Sequence, residues 1–308
     1  MCMSTNRKKY IADYYSPELY HELVTKLRTF FIQRNFLEID TQSRLSILAA
    51  CEDPNTITTF AVGGQQWPLP QTGQMWLEYE LLKNPSVPGV FCLTTSYRDE
   101  LNPIPERHLR VFPLFEFEHH GDMQDLQTME ASLFEYLGFG NKSTCIAGDY
   151  VSVANSFGVR IIESTQEIEL CKPSSPVFFL KNFPSYSNPY FNMKGSGDVY
   201  KKIDALLYGM ETIGSAERST DPHEMRENFY TTSNGLYAQR LFDLFTQERV
   251  EKELNEFLSL TFFPRCGGGI GMHRLMRALT LHREHSKQTT SEYHNIVHER
   301  QRGQILEV

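Results

Sequence analysis

YRDELNPIPERHLRVFPLFEFE, residues 97–118, joins two strand-like ends through a loop that carries a cluster of cationic side chains. Phe and Val recur at the C-terminal end of this stretch and again just before Tyr97, and such residues favour strands. The loop region contains Arg98, Arg107, His108 and Arg110. Because guanidinium groups bind phosphate oxygens bidentately, these cations predict a hairpin suited to a polyphosphate. An ordinary solvated turn is the alternative interpretation of the same residues.

CGGGIGMHRLMRAL, residues 266–279, places a run of glycines directly before an amphipathic helix. Glycine permits φ > 0 and a close approach of ligand to backbone, and the first turn of a helix has unpaired N–H groups. Arg274, one turn into that helix, is placed to stack its guanidinium on an aromatic base. The spacing is neither a dinucleotide-binding fingerprint nor a P-loop. We therefore predict a glycine-rich turn and a helix beside a ligand of another kind.

IDALLYGMETIGSAER, residues 203–218, contains two carboxylates and an arginine within a strand-like stretch. Asp204 and Glu211 are an odd number of residues apart, so on one continuous strand they would point to opposite faces. A turn or bulge near Gly209 would bring both to one site, where they would suit Mg²⁺ bridging nucleotide phosphates. Without that turn they are two ordinary acids. Arg218 follows small residues and is placed to reach a substrate carboxylate at close range.

Hydrophobic periodicity outlines the rest of the fold. It predicts helices at 17–35, 73–83, 126–137, 221–230 and 237–258, followed by a final helix after the glycines. It predicts strands at 36–40, 57–62, 89–98, 111–118, 177–183, 190–194 and 203–216. Residues 140–175 have no clear period, and we expect loops and a short helix there. Strands that follow one another with few helices between them indicate an α+β fold, an antiparallel sheet flanked by helices.

Composition limits the class of protein. A chain of 308 residues with 40% hydrophobic and 22% charged content is expected to form one globular domain over residues 1–308. No apolar stretch approaches the roughly 20 residues that cross a bilayer, and no signal peptide begins the chain, so we expect a cytoplasmic protein without a membrane partner. The six cysteines form no C-x-x-C pair and predict reduced thiols. A net charge of −8 weakly disfavours RNA.

Three of these stretches together resemble the signature motifs of class II aminoacyl-tRNA synthetases. Arg98-Asp99-Glu100 in its strand–loop–strand setting resembles motif 2, and Gly267-x-Gly269-x-Gly271-x-x-Arg274 resembles motif 3. LVTKLRTFFIQRNFLEIDTQ, residues 23–42, resembles motif 1, the usual dimer-forming element, except that Gln42 replaces the family's proline. The resemblance implies the class II catalytic core and a homodimer.

Within that class the chain is most similar to the aspartate, asparagine and lysine enzymes. The similar segments are PQTGQMWLE at 70–78, RHLRVF at 107–112 and GMETIGSAER at 209–218. Val111 replaces a family glutamate, which affects the expected nucleotide pocket. Leu77 lies where aspartyl enzymes place a lysine, whereas Glu78 lies where asparaginyl enzymes have glutamate. Asparagine, and aspartate on its way to asparagine, are therefore both open as the expected amino acid.

The resemblance implies ATP and Mg²⁺ as cofactors and assigns residues to them. Arg98 would bind the α-phosphate, and Arg274 would sandwich the adenine ring together with Phe112. The other implied contacts are Glu100 with the adenine amino group, Arg107 and His108 with the outer phosphates, Gly269 and Gly271 with the nucleotide through their backbone, and Asp204 and Glu211 with Mg²⁺.

The resemblance also implies an amino-acid site and a reaction. Gln74 and Glu116 would bind the substrate ammonium, Arg218 a side-chain oxygen, and Glu78 a nearby amide, ammonium or ammonia. The substrate carboxylate would attack the α-phosphorus in line and release pyrophosphate. Catalysis would come from positioning and charge neutralisation, without a covalent protein intermediate.

The acceptor of the activated amino acid is predicted from what precedes the core. The family's full enzymes have an anticodon-binding OB-fold before it, whereas here the motif 1 helix begins near residue 17, so we expect no such domain and a non-tRNA acceptor. Asparagine synthesis from aspartate and ammonia is the favoured hypothesis. The alternatives are aminoacyl transfer to a protein or small molecule, a truncated asparaginyl- or aspartyl-tRNA synthetase, and a non-catalytic amino-acid or nucleotide binding module.

Overall fold

The computed structural model describes residues 16–41, 54–104, 107–172, 174–187 and 189–304, with side chains up to residue 288. Its strands are β1 (Leu37–Glu38), β2 (Thr59–Val62), β3 (Gln65–Pro68), β4 (Gly89–Tyr97), β5 (Val111–His120), β6 (Ile146–Asp149), β7 (Val177–Pro184), β8 (Gly195–Ser196), β9 (Val199–Leu207), β10 (Met210–Glu217) and β11 (Arg265–Gly271). Its α-helices are α1 (Pro17–Ile32), α2 (Gln74–Lys83), α3 (Met123–Leu137), α4 (Tyr150–Ser156), α5 (Ser164–Leu170), α6 (Pro222–Thr231), α7 (Leu236–Phe245), α8 (Gln247–Leu258) and α9 (Met272–Gln304). One-turn 3₁₀ helices lie at Pro54–Thr56, Lys142–Thr144, Ser185–Ser187 and Thr232–Gly235.

The strands form one nine-stranded sheet and a separate hairpin. The sheet order is β1-β4-β5-β11-β10-β9-β7-β6, with β8 paired to β9, and β2 pairs only with β3. The pairs in the middle of the sheet are antiparallel, whereas β1 with β4 and β6 with β7 are parallel. The predicted α+β fold is confirmed, and the sheet is mixed at both ends.

Alternation along the central strands separates an apolar face from a polar face. In β5, Phe115 and Phe117 are fully buried in the main core, while Glu116 and Glu118 point the opposite way. Helices α1, α3 and α9 cover the apolar face, and the ring of Phe31 stacks on that of Phe115 with centroids 5.4 Å apart. The opposite, polar face carries the residues of the three sequence motifs.

A second apolar cluster packs against part of the polar face. It joins Ala216 of β10 to Met75 of α2 and to helices α6, α7 and α8 through Met225, Tyr237 and Leu254. Helices therefore lie on both sides of the sheet. None of the described helices combines the length and apolar character needed to cross a membrane.

Two predicted elements are wrong in kind. Residues 190–194 form a loop with one isolated bridge between Met193 and Arg218. The Ser219 N–H donates to the Asn192 carbonyl (2.8 Å) and the Lys194 N–H to the Glu217 carbonyl (2.9 Å), and the pairing with β10 extends no further. The predicted glycine-rich turn at 266–271 is strand β11, in the middle of the sheet. Glycines are needed there for close packing between two neighbouring strands and not for a turn.

Other differences concern boundaries. The predicted helix at 237–258 is two helices, because Thr246 has φ +68° between them. Residues 140–175 contain β6, α4 and α5, more regular structure than the expected loops and short helix. Strand β3 was not predicted. Gln42, the departure from motif 1, lies outside the described residues.

Candidate active site

A cavity of about 360 Å³ lies on the polar face of the sheet. All but two of the predicted site residues line it: Gln74, Arg98, Glu100, Arg107, His108, Phe112, Glu116, Glu211, Arg218, Gly269, Gly271 and Arg274. The two that do not are Glu78 and Asp204. The hairpin, the glycine strand and the two-carboxylate hairpin are therefore parts of a single site, while the role of each residue stays a prediction.

Glu116 is fixed at one end of the cavity by donors on three sides. Its carboxylate accepts hydrogen bonds from the Gly73 N–H (2.8 Å), the Thr94 hydroxyl (2.7 Å) and the Thr72 hydroxyl. The β4–β5 pairing places Thr94 on the neighbouring strand, and the start of α2 supplies the other two donors. A carboxylate bound in this way is suited to orient a substrate ammonium.

Behind the cavity wall lies a buried network of two carboxylates and two guanidiniums. Arg265 donates to Glu78 through Nε (3.1 Å) and Nη2 (2.7 Å). Arg218 donates to Glu118 through Nε and Nη2, both at 3.3 Å, and its Nε lies 3.5 Å from Glu78 Oε1. Gln74 also donates to Glu118. With both carboxylates ionised the network is neutral overall, and Arg218 is its member that lines the cavity.

The network changes the ionisation of its members. Burial opposes the charge of Arg218, but Glu118 and Glu78 outweigh it and raise the pKa of the guanidinium. Burial raises the pKa of Glu118 to about 7, although Arg218 partly offsets it. Contact of Glu78 with the substrate stays a prediction. The structure buries its carboxylate among Arg265, Asn192 and Arg218, behind the residues that line the cavity.

The β4–β5 connection supplies the cationic end of the cavity. The Arg98 guanidinium lies 5.4 Å from the centre of the Phe112 ring, and His108 Nδ1 lies 2.8 Å from the Glu100 carboxylate. Arg107 forms an ion pair with Glu167 of α5. The two residues predicted for the outer phosphates, Arg107 and His108, are thus paired with acids of this chain.

Arg274 reaches the same end from the first turn of α9. Its Nη1 donates to the Glu211 carbonyl (2.8 Å) and carboxylate (3.2 Å), and its Nη2 donates to the Arg107 carbonyl (3.4 Å). These bonds connect the helix, the two-carboxylate hairpin and the β4–β5 loop. Arg274 is therefore positioned by Glu211 and Arg107, which are predicted to bind the same ATP and its Mg²⁺.

The β9–β10 hairpin brings Asp204 and Glu211 to one face, which decides between the two interpretations of these carboxylates in favour of the one with a turn near Gly209. Tyr208 (φ +50°) and Gly209 (φ +72°) form the turn, and the register shifts between Glu211 and Ile213. A methyl group built on Gly214 would lie 2.9 Å from a Glu211 carboxylate oxygen and 3.8 Å from one of Asp204. Both carboxylates therefore converge over one glycine.

Cations lie beside both carboxylates of the pair. Lys202 lies 3.2 Å from the Asp204 carboxylate. Burial opposes ionisation of Glu211, but Arg274, Lys202 and Arg98 outweigh it and lower the pKa of its carboxyl. Magnesium in nucleotide sites uses one or two carboxylates together with phosphate oxygens, so the pair fits an ATP-bound Mg²⁺. The described residues contain no cluster of three or more side chains that would hold a metal without phosphate.

Strand β11 is built from glycine because its neighbours approach too closely for side chains. A methyl group on Gly268 would lie 2.7 Å from the Gly214 carbonyl and still closer to Ser215 Cβ, while one on Gly267 would collide with Glu118. Gly269 and Gly271 line the cavity and have more room, with nearest atoms at 3.5 and 3.7 Å. Strand β11 therefore lies between β5, which carries Glu116 and Glu118, and β10, which carries Ser215.

Two of the three single-position departures from the family pattern, Val111 and Leu77, lie away from the cavity, and the third, Gln42, is outside the described residues. Val111 is 54% exposed and does not line it, so the change from glutamate leaves the described wall intact. Leu77 is fully buried in an apolar cluster with Leu81 and Val90. Neither residue contributes a group to the site.

Several residues at the site were not predicted: Thr72, Thr94, Glu118, Asn192, Lys202 and Arg265. Glu118 could have been predicted from the sequence, because it is two residues from Glu116 on one strand and therefore points to the same face. Asn192 and Arg265 carry none, because a buried loop and a residue at a strand start reach the site only through the tertiary fold. The four described cysteines, Cys92, Cys145, Cys171 and Cys266, are free.

Comparison with known proteins identifies the family of the chain. A family model described as tRNA synthetases class II (D, K and N) matches residues 16–286. The chain belongs to this family. Among the proteins related to this class II synthetase chain, the aspartate–tRNA(Asp) ligase of Pyrobaculum aerophilum is 30% identical over 110 residues, which cover 36% of this chain and 23% of that protein.

Solved class II synthetases have the same fold. Asparaginyl-tRNA synthetase from Pyrococcus horikoshii, complexed with asparaginyl-adenylate, has a TM-score of 0.69 at 20% identity and covers 85% of this chain and 64% of its own. The Entamoeba histolytica asparaginyl enzyme gives 0.65 at 18% identity, with 85% and 63% covered. The aspartyl enzyme of that organism gives 0.63 at 16% identity, with 85% and 54% covered. The chain spans less than two thirds of each relative.

Proposed function

We propose that this class II synthetase chain activates a small amino acid with ATP, forming an aminoacyl adenylate and releasing pyrophosphate. The observation that carries the proposal is the polarity of one cavity. Arg98, Arg107 and Arg274 line one side, while the rigidly bound Glu116 and the buried network around Arg218 form another. A triphosphate and an amino acid fit the two sides.

The chain's own residues would act by positioning and by neutralising charge. Arg98 would bind oxygens of the α-phosphate, and Arg274 would stack on adenine. Asp204 and Glu211 would hold Mg²⁺. When bound, Mg²⁺ would neutralise the charge of the phosphates and of the leaving pyrophosphate. Glu116 would orient the ammonium so that the substrate carboxylate faces the α-phosphorus.

Charge at the side-chain end favours a neutral substrate. When Glu118 is ionised, Glu78 and Glu118 balance Arg218 and Arg265, so no surplus cation remains for a substrate carboxylate. Burying an uncompensated carboxylate is strongly unfavourable. We therefore favour an asparagine-like amino acid over aspartate. Asparagine synthesis, which starts from aspartate, stays a prediction that this charge balance does not support.

The acceptor and the assembly also stay proposals. The expected acceptor is a molecule other than tRNA: ammonia, a protein or a small molecule. Charging of tRNA by a shorter synthetase is the competing possibility, and both begin with the same adenylate. A cytoplasmic homodimer is proposed on the resemblance of residues 23–42 to motif 1.

Amino-acid-dependent exchange of pyrophosphate into ATP tests the proposal across all twenty amino acids. We expect exchange with one or a few small polar amino acids, lost in Arg98→Ala. Arg110→Ala is the matched control, because Arg110 lies on the same connection, bonds the Glu100 carbonyl (2.8 Å) and does not line the cavity. ATP binding without exchange for any amino acid would contradict the proposal and favour the non-catalytic module.

Product analysis then separates the acceptors. Ammonia is added to each amino acid that supports exchange, and AMP and amides are measured. Asparagine and AMP formed from aspartate would establish the asparagine-synthetase hypothesis against our charge argument. Exchange without any response to ammonia would direct the search to a protein, a small molecule or tRNA.

A further inference from the structure

Asn192 lies in the loop between β7 and β8 and lines the cavity although it is fully buried. The loop is anchored on both sides of it. The Ser219 N–H donates to the Asn192 carbonyl (2.8 Å), and Met193 bridges to Arg218. Glu78 Oε1 accepts from the Asn192 amide and also lies 3.5 Å from Arg218 Nε. Asn192 and Arg218 are therefore neighbours at the side-chain end of the proposed amino-acid site.

The partners of the Asn192 Nδ2 group determine which way the side-chain amide points. Nδ2 donates to Glu78 Oε1 and lies 3.1 Å from the Met75 sulfur. The flipped amide would place Oδ1 against a carboxylate oxygen, which is repulsive. Oδ1 is left buried, and no hydrogen-bond donor from the described residues reaches it. Such an acceptor is unfavourable by about 1–3 kcal/mol unless water or a ligand satisfies it.

We propose that Asn192 Oδ1 accepts a hydrogen bond from the substrate side chain and selects one that ends in a primary amide. The inference rests on the proposed function and narrows its substrate class. Arg218 uses Nε and Nη2 for Glu118, Glu78 and the Gly267 carbonyl, and no bond among the described residues uses its Nη1. A primary amide offers an N–H to Asn192 and a carbonyl oxygen to Arg218.

Other side chains of similar size match only one of these two groups. A carboxylate would meet the Oδ1 acceptor and would add a third negative charge beside Glu78 and Glu118. An ammonium would satisfy Oδ1 but would lie against the Arg218 guanidinium. The competing explanation is that water satisfies Oδ1 and that Asn192 only anchors Glu78. In that case substrates with and without a donor would respond equally to its removal.

The test compares two neutral substrates that differ in the donor, asparagine and aspartate β-methyl ester, in pyrophosphate exchange. We expect kcat/KM for asparagine to exceed that for the ester by at least tenfold in the wild type. Asn192→Ala should lower this ratio about tenfold. Asn228→Ala is the matched control, because Asn228 supports the same loop through the Phe191 carbonyl (3.4 Å) and does not line the cavity. It should leave the ratio unchanged.

Each remaining outcome decides the inference. Equal losses for both substrates in Asn192→Ala, or a wild-type preference for aspartate or the ester, would overturn it while leaving amino-acid activation intact. If Asn192→Ala does not fold, a wild-type ratio near one overturns the inference, and a ratio above tenfold supports it. If nothing supports exchange, calorimetry with the same two compounds decides. A preference for asparagine that requires Asn192 would support the inference while the proposed function fails, and absence of asparagine binding would overturn both.

Discussion

At the scale of single residues, Arg265 controls the charge of the buried network. Its guanidinium binds Glu78 through two nitrogens and donates to the Ser219 carbonyl (3.0 Å), and its side chain is fully buried. Removing one partner of such a pair leaves an uncompensated charge in a medium of low polarity. Arg265 therefore contributes to the stability of the site without lining the cavity.

Arg265→Ala should lower the free energy of unfolding by about 3–5 kcal/mol, because Glu78 loses its main partner. Urea denaturation measures the change. Arg28→Ala is the control, since Arg28 forms an exposed pair with Glu38 (2.7 Å) and its removal should change stability by less than about 1 kcal/mol. Equal effects of the two substitutions would show that burial of the network does not matter.

Glu130 of α3 is a second buried acid, outside the network. No donor among the described residues reaches either carboxylate oxygen, and the neighbouring Ser215 hydroxyl donates instead to the Ile203 carbonyl (3.2 Å). Burial raises the pKa of Glu130 to about 8. The protonated acid is therefore the form that the folded chain accommodates at neutral pH.

Glu130→Gln should remove a pH-dependent loss of stability. Because the folded-state pKa lies above the ordinary value of 4.5, the stabilising proton is present at low pH and is lost as pH rises towards 8. Relative to the wild type, the variant should gain roughly 3–5 kcal/mol between pH 5 and pH 8.5. Denaturation at both pH values measures the difference. A constant difference between the two proteins would contradict the raised pKa.

At the scale of elements, strand β11 depends on glycine at positions that face backbone. Gly268→Ala should destabilise the protein by about 2–4 kcal/mol, because the new methyl group would overlap the Gly214 carbonyl and Ser215. Gly269→Ala on the same strand has its nearest atom at 3.5 Å and should change stability by less than about 1 kcal/mol. Thermal unfolding of both variants makes the comparison, and similar melting temperatures would contradict the packing argument.

Helix α5 restrains the cationic end of the cavity through Glu167. The carboxylate of Glu167 pairs with Arg107, and the helix packs against the turn at Gly209 through Ile168. If Arg107 contacts the outer phosphates of ATP, as the sequence predicts, its pair with Glu167 competes with the nucleotide.

Glu167→Gln should therefore tighten ATP binding by roughly threefold, since a neutral side chain competes less for Arg107. Titration calorimetry measures the dissociation constant. Glu169→Gln on the same helix is the control, because Glu169 is exposed and should leave ATP affinity unchanged. Weaker binding in the Glu167 variant would mean that Glu167 positions Arg107 for the nucleotide.

At the scale of the whole molecule, the two ends of the main sheet differ. Strand β1 is one edge, and beside it Ile32 and Leu37 are 55% and 53% exposed. Open sheet edges with apolar side chains favour pairing with another chain. Helix α1 and β1 also belong to the segment that resembles motif 1.

Leu37→Glu should convert the expected homodimer to a monomer, because a charge at this edge opposes burial between two copies. Analytical ultracentrifugation measures the mass. Ile146→Glu is the matched control, since Ile146 is 48% exposed on β6 at the opposite edge and should leave the dimer intact. A monomeric wild type, or dissociation by Ile146→Glu alone, would contradict this assignment.

The sequence by itself determined most of the fold and the location of the site. The Phe- and Val-rich composition of residues 111–118 predicts β5, and Gly209 marks the place where a turn would form the β9–β10 hairpin. These are local properties, because strand faces and turns depend on neighbours in the chain. The sequence left open whether Asp204 and Glu211 converge, and the turn and register shift of the hairpin bring them together.

Only the tertiary structure decided features that join distant segments. The glycines at 267–268 form a strand because β5 and β10 approach their backbone, and Asn192 reaches the cavity from an irregular loop. Glu78 lies behind the wall because Arg265, far along the chain, binds it. The hydrophobic periodicity of the sequence does not show which buried acid pairs with which buried arginine, because long-range packing determines those pairs.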